Sequence, residues 1–236
     1  MFDFIRNIED RKSGDPLKIY LTFDIDWAHP EVIMDAYSLV AEAGVKSTWF
    51  VTGKSSAVDC FEADKNVDLG IHPNFNNLLY PKNISIASKS IFDIINELRE
   101  IVPKATVSRS HSLVTGSPIT NLLAEMGFTH ESNFKVPLTS GITPNAVRHR
   151  SGMLMCPFSW DDYSDHNDKR PFNNNLPSMC IVNFHPIHVF LNTESLERYE
   201  RARPFFKNPK ELIRHRYNGY GTRNHLIELF ELAKNV

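Results

Sequence analysis

The chain is short of the features that would take it out of the ordinary globular class. Only three of its 236 residues are cysteine (Cys60, Cys156 and Cys180), and they form neither an even framework nor a Cys-x-x-Cys pair. A disulfide scaffold and a cysteine zinc ribbon are thereby excluded, and reduced thiols in the cytoplasm are expected. No apolar run approaches the roughly 20 residues of a membrane helix, so no membrane span is expected. Lys and Arg number 26 against 28 Asp and Glu, a formal charge of -2, and no dense basic run stands out. That balance offers no footprint for nucleic acid. The stretch from Met1 to Pro16 alternates apolar and charged residues and has no secretory apolar core. Repeats, low-complexity tracts and Gly/Ser linkers are missing too, which leaves one domain over residues 1–236. What is present is a 42% hydrophobic complement, enough to build a core without staples.

The pattern along the chain alternates strands and helices. Lys18 to Asp26 reads as a buried strand ending in carboxylates, and Pro30 to Ala43 as a helix with Pro in its first turn and Gly44 at its end. Ser47–Val51 and Val67–Ile71 read as strands, with a helix between them reaching about Ala63. A helix over Ser85 to Val102 is closed by Pro103, and Ala105–Ser108 and Phe128–Glu131 flank a helix over Ser117 to Met126. From Lys135 to Pro177 the periodicity dissolves into Pro, Asn, Asp and Ser with short β-like pieces. Met179–Phe184 restores a core strand, and Thr222 caps a terminal helix that runs to Lys234. The class is α/β, a parallel sheet with helical crossovers, open or closed into a barrel.

Polar residues gather where such a fold places its site. Asp24 and Asp26 close the first strand, His72 the third, Arg109 and His111 the fourth, and His185 and His188 the late strand. Parallel α/β folds bring the carboxyl ends of their strands to one face. Asp and His are ordinary ligands of a zinc-type ion, and three ligands plus an open position is a catalytic arrangement. Asp24 and Asp26 share one side of an ideal strand, where a cation relieves their repulsion; one could bind metal while the other takes a proton. Each residue alone has a plainer reading: Asp-x-Asp as a turn or helix cap, Arg109 as a surface ion pair, His185 and His188 as packed histidines about a turn. The coincidence at several strand ends favours the site. His130, His149, His166, His215 and His225 do not share it and read as structural or solvated, with His29 on the rim.

These residues, in this order, resemble the NodB-type polysaccharide deacetylases (carbohydrate esterase family four) of the kind found in surface-polysaccharide biosynthesis. The resemblance runs from about Lys18 onward. Thr22-Phe23-Asp24-Ile25-Asp26 stands where the family has Thr-Phe-Asp-Asp-Gly, and Gly70-Ile71-His72-Pro73-Asn74-Phe75-Asn76 where it has His-Ser/Thr-x-x-His. Arg109-Ser110-His111 replaces Arg-Pro-Pro, Trp160-Asp161-Asp162-Tyr163 loosely matches an acidic aromatic segment, and Val182-Asn183-Phe184-His185-Pro186 matches the motif of the catalytic His. The resemblance implies a distorted (β/α) barrel of about seven strands and metal-dependent removal of an N-acetyl group from a sugar or saccharide precursor. It gives Asp24 the role of base, Arg109 that of orienting the base, His185 that of acid and His72 that of metal ligand. Asp26 is a shifted metal ligand, since Ile25 separates it from Asp24. The second family His falls on Asn76, and His111 is expected to take its place from the neighbouring strand end. The implied cofactor is a divalent metal, zinc by preference. Trp27, Trp160 and His188 are expected to meet the substrate, with Tyr163 and Phe184 as further ring faces. Two other classes stay open: a non-catalytic metal- or carbohydrate-binding relative, and an amidase acting on a non-sugar substrate.

Overall fold

The computed structural model describes residues 1–9, 16–61, 63–79, 89–165, 171–172 and 175–234. A curled sheet of nine strands forms the centre: β1 (Lys18–Asp24), β2 (Ser47–Val51), β3 (Val67–Ile71), β4 (Val107–Ser108), β5 (His130–Glu131), β6 (Val147–Arg148), β7 (Leu154–Met155), β8 (Trp160–Asp161) and β9 (Met179–Phe184). Their order is β6-β7-β5-β4-β3-β2-β1-β9-β8. Every pairing is parallel except that of β6 with β7. The helices are α1 (Pro30–Ala43), α2 (Ser56–Phe61), α3 (Asn76–Leu79), α4 (Ile91–Ile101), α5 (Ser117–Glu125), α6 (Pro186–Leu191), α7 (Leu196–Ala202), α8 (Pro209–Leu212) and α9 (Thr222–Lys234). The α/β half-barrel agrees with the distorted barrel expected above, with nine strands instead of seven because several are only two residues long.

Period-two alternation in the two central strands explains the layout. In β1, Ile19, Leu21 and Phe23 enter the larger core beneath the helices, as do Cys180, Val182 and Phe184 of β9. Tyr20 and Ile181 face the other way, into a second core with Ile5, Phe50, Val107 and Phe158. That inner face changes character along the strands. Apolar at the amino end, it becomes polar at the carboxyl end, where Thr22 pairs in register with Asn183 and Asp24 closes β1. Burying each large side chain of the outer face is worth about 1.5–3 kcal/mol, which fixes the register and so the height of the polar residues above it. Helix α1 begins with Pro30 in its first turn and ends on Gly44 in a left-handed conformation (φ 65°), burying Val32, Ile33, Ala36 and Val40.

Several sequence boundaries move. Strand β1 ends at Asp24, and Asp26 lies in a turn with φ 45°, so the two aspartates do not share a strand face. The expected helix from Ser85 is described only from Ile91, where Ser90 and Asp93 form a capping box; residues 80–88 lie outside the described set. The hydroxyl of Thr222 caps no helix and donates to the Thr193 carbonyl at 2.9 Å. Helices α6, α7 and α8 follow His185, where sequence periodicity announced none: each is only four to seven residues long. Among the described residues no helix is long and apolar enough to cross a membrane.

Candidate active site

A cleft of about 520 Å³ opens at the carboxyl ends of the strands, lined in part by Asp24, Asp26, His72, His111 and His185. At its floor lies Arg109, fully buried (0% exposed) directly after β4. Its Nη1 donates to Asp24 Oδ1 at 3.1 Å, to Thr22 Oγ1 at 2.9 Å and to Asn183 Oδ1, while Nε and Nη2 donate to the carbonyl and hydroxyl of Ser132 at 2.9 Å. The guanidinium lies 4.6 Å from the Phe50 ring centroid and 5.2 Å from that of Phe158. Phe50 reaches that position because residue 70 is glycine: a Cβ there would come within 2.8 Å of its ring and 2.9 Å of the Val107 carbonyl. Burial lowers the Arg109 pKa, opposed by the Asp24 carboxylate. Removing one partner of such a buried pair costs about 3–5 kcal/mol. Asp24 Oδ2 also accepts from Asn183 Nδ2 at 2.8 Å, so both of its oxygens are held.

Asp26, His72 and His111 bring one ligand atom each within 4.8 Å of one another. Asp26 Oδ1 lies 3.3 Å from His72 Nε2 and 3.1 Å from His111 Nδ1. The carboxylate gets there through the left-handed turn, whose carbonyl accepts from Thr52 Oγ1 at the end of β2. Left-handed backbone is uncommon outside glycine, though Asp tolerates it better than most. This is the position where the family pattern has glycine. His72 Nδ1 lies 2.7 Å from the Arg109 carbonyl, which can only accept, so Nδ1 carries the hydrogen and Nε2 presents its lone pair toward Asp26. Burial alone would raise the Asp26 carboxyl; the hydrogen bonds of His111 and His72 hold it far below the usual carboxylate range. One carboxylate and two imidazoles, one already oriented through its second nitrogen, fit a zinc-type ion. Asn76 does not join them: its Nδ2 donates to Ser112 Oγ at 3.0 Å.

His185 follows β9 and faces a different partner. Its Nδ1 donates to Asp162 Oδ1 at 2.6 Å and its backbone N–H to Asp162 Oδ2 at 2.8 Å, while Nε2 points toward Asp24 Oδ2 at 3.8 Å. Burial opposes charge on this imidazole, but the Asp162 carboxylate outweighs it and carries the pKa up to about 10. Burial pushes the Asp162 carboxyl up to about 6, still ionised at neutral pH. Asp162 is fully buried, and sequence reading passed over its role although the residue stood in a motif segment; its strand β8 is two residues long and carries no periodicity. Asn183 and Ser132 were passed over as well. The inward alternation of β9 could have found Asn183.

The expected substrate contacts divide. His188 is 2% exposed in α6, hydrogen-bonded through Nδ1 to Thr193 Oγ1 at 3.1 Å and stacked on Tyr199, yet still borders the cleft. Trp27 is 60% exposed and sets its ring edge-on to His111 at 4.9 Å. Trp160 is a correction. At 1% exposed it is packed among Phe172, Phe184 and His225, because the outward side chain of β8 falls into the core, and it offers no face to the opening. Phe184 is equally buried, whereas Tyr163 lines the cleft at 54% exposed. His166 lies outside the described residues.

Comparisons with known proteins agree with this geometry. A crystal structure from Bordetella bronchiseptica, described as a candidate polysaccharide deacetylase involved in O-antigen biosynthesis, is 34% identical and covers 100% of this chain and 98% of its own, with a TM-score of 0.88. A Mycobacterium smegmatis protein described in similar terms is 14% identical over 94% of this chain and 92% of its own, with a TM-score of 0.51, a likeness of fold. Comparison with curated protein sequences gives no match. The model of the WbmS-like polysaccharide deacetylases matches residues 21–203, and the chain belongs to that family.

Proposed function

We propose that the protein is a metal-dependent hydrolase that removes an N-acetyl group from a sugar of a surface-polysaccharide precursor. One observation carries the reading. A carboxylate held by an arginine, a three-residue donor set and a carboxylate-paired imidazole converge on one cleft. Asp26, His72 and His111 would hold the ion. A divalent ion so bound supplies a Lewis acid for the amide carbonyl and lowers the pKa of its water to about 7. Asp24 is the base. Its two oxygens are fixed by Arg109 and Asn183, and it accepts the proton of the attacking water. His185 is the acid. Protonated at neutral pH beside Asp162, its Nε2 delivers a proton to the leaving amine, and the 3.8 Å to Asp24 lets base and acid flank one carbonyl. Trp27 and His188 border the path of the sugar.

The substrate class extends the description of the Bordetella relative to this chain. The three free cysteines suit a reducing compartment, which favours a cytoplasmic precursor over assembled polymer. Burial pushes the thiols of Cys156 and Cys180 up to about 12, so neither acts as a nucleophile. The test is acetate release from a panel of N-acetylated monosaccharides, nucleotide sugars and simple amides, with the metal content of the same sample measured. Acetate from a sugar at one ion per chain is the expected result. Release from simple amides alone would replace the sugar with another amide, and an ion-free, inert protein would sink the enzyme reading.

A further inference from the structure

We propose that Glu131, remote from the reacting atoms, is a positioning residue that holds the loop presenting His111 to the ion. The inference rests on the ion-site reading above. Glu131 closes β5 with its side chain fully buried (0% exposed) and, among the described residues, has no lysine or arginine at ion-pair distance. Three neutral donors satisfy it instead. Thr115 Oγ1 and Asn133 Nδ2 donate to Oε1, and Thr120 Oγ1 donates to Oε2 at 2.8 Å. Asn133 passes the tether on, since its Oδ1 accepts the backbone N–H of Ser110 at 2.7 Å. Glu131 thus grips both ends of the segment 110–115, directly at Thr115 and through Asn133 at Ser110.

Between those two tethers lie His111 and two non-glycine residues with left-handed backbone, Ser112 (φ 56°) and Leu113 (φ 57°). A β-region or helical conformation suits both residues better, so the segment keeps this shape only if its surroundings impose it. The other fixed point is the His111 N–H, which donates to the Pro73 carbonyl beyond β3 at 2.9 Å. A buried carboxylate that receives three hydroxyl and amide donors is an expensive group to keep in a core, and its partners here all serve one loop. A packing role needs no charge: apolar residues of similar size would fill that volume without a desolvation cost.

The experiment measures Zn²⁺ affinity by competition with a chromophoric chelator, and the visible spectrum of the Co²⁺-loaded protein, for the wild-type chain, Glu131→Gln, Thr115→Val and His111→Ala. Folded fraction and apoprotein melting temperature are recorded alongside. Glu131→Gln should weaken Zn²⁺ binding about 10–100-fold and alter the Co²⁺ spectrum while the apoprotein stays folded. Thr115→Val, which removes one tether and keeps the shape, should fall between it and wild type. Wild-type affinity with an unchanged Co²⁺ spectrum in both Glu131→Gln and Thr115→Val overturns the proposal. So does a loss of binding no larger than the loss of folded protein. If His111→Ala binds as tightly as wild type, or wild type binds no ion, the ion-site reading itself has failed and takes this inference with it. A weakened His111→Ala beside an unaffected Glu131→Gln sinks the positioning role alone.

Discussion

The cleft holds two histidine–carboxylate arrangements built from the same side chains, and they differ in how the carboxylate is shared. Asp26 stands between two imidazoles, 3.3 Å from His72 and 3.1 Å from His111, and its side chain is 28% exposed. Asp162 is fully buried and gives both oxygens to one residue, His185. A carboxylate divided between two imidazoles, with one ring turned by a backbone carbonyl, is a donor set waiting for a cation. A carboxylate committed to one imidazole keeps a proton on it. His225 supplies a third environment for contrast: 2% exposed, with neither ring nitrogen hydrogen-bonded. Residue type does not decide what a histidine does here; the number and burial of its partners does.

The largest effects should come from breaking each arrangement in turn. On the proposed reading, Asp24→Asn and His185→Ala lower turnover by 10²–10⁴-fold, about 3–5 kcal/mol of barrier, at unchanged ion content per chain. His72→Ala instead strips the ion, whereas His29→Ala keeps it. Acetate release normalised to bound metal separates the two patterns. If Asp24→Asn loses the ion and Asp26→Asn retains it, the two aspartates exchange roles.

A sharper cut is Asp162→Asn. The acid must carry its proton, so activity is lost as pH rises through the His185 pKa, which the Asp162 charge holds up at about 10. Without that charge, burial pulls the pKa down and the alkaline limb of the pH–rate profile should move acidward by about one unit or more. A limb that stays in place shows that another group delivers the proton.

His225 tests the third environment through stability. Burial lowers its pKa in the folded state below the unfolded value of about 6.5. Its contribution is therefore intact above pH about 6.5 and is lost as pH falls below it. Between pH 7 and pH 5 the wild-type chain should lose about 1 kcal/mol more stability than His225→Leu, read from denaturant melts. Parallel losses in the two proteins would rule this out. The smallest effect expected is that of Trp27→Ala, at the exposed rim. KM should rise by less than about tenfold with kcat nearly unchanged, the signature of uniform binding.

How far the sequence could be read depended on the length of the element carrying each residue. Asp24 and His185 were visible because β1 and β9 are seven and six residues of nearly continuous burial, whose ends are unmistakable. His72 and Arg109 followed from strands in the same layer. Asp162 and Glu131 sit on strands of two residues, too short for a period, and their partners come from elsewhere in the chain. Trp160 misled for the opposite reason, since an aromatic beside two aspartates looks like a site whichever way the strand faces. The Asp26 position depended on a left-handed turn that ideal strand geometry does not produce.

Arg109 serves the two arrangements with different parts of itself. Its side chain fixes Asp24, whereas the atom that orients His72 is its backbone carbonyl, which every amino acid possesses. A change such as Arg109→Lys keeps a charge in place and leaves the carbonyl untouched, but loses the planar fork. The inherited outcome is a protein still able to load its ion and admit its sugar, with the base no longer aimed. Such an allele would act as a decoy, withholding precursor from a functional copy in the same cell, whereas an allele lacking His72 would merely be absent.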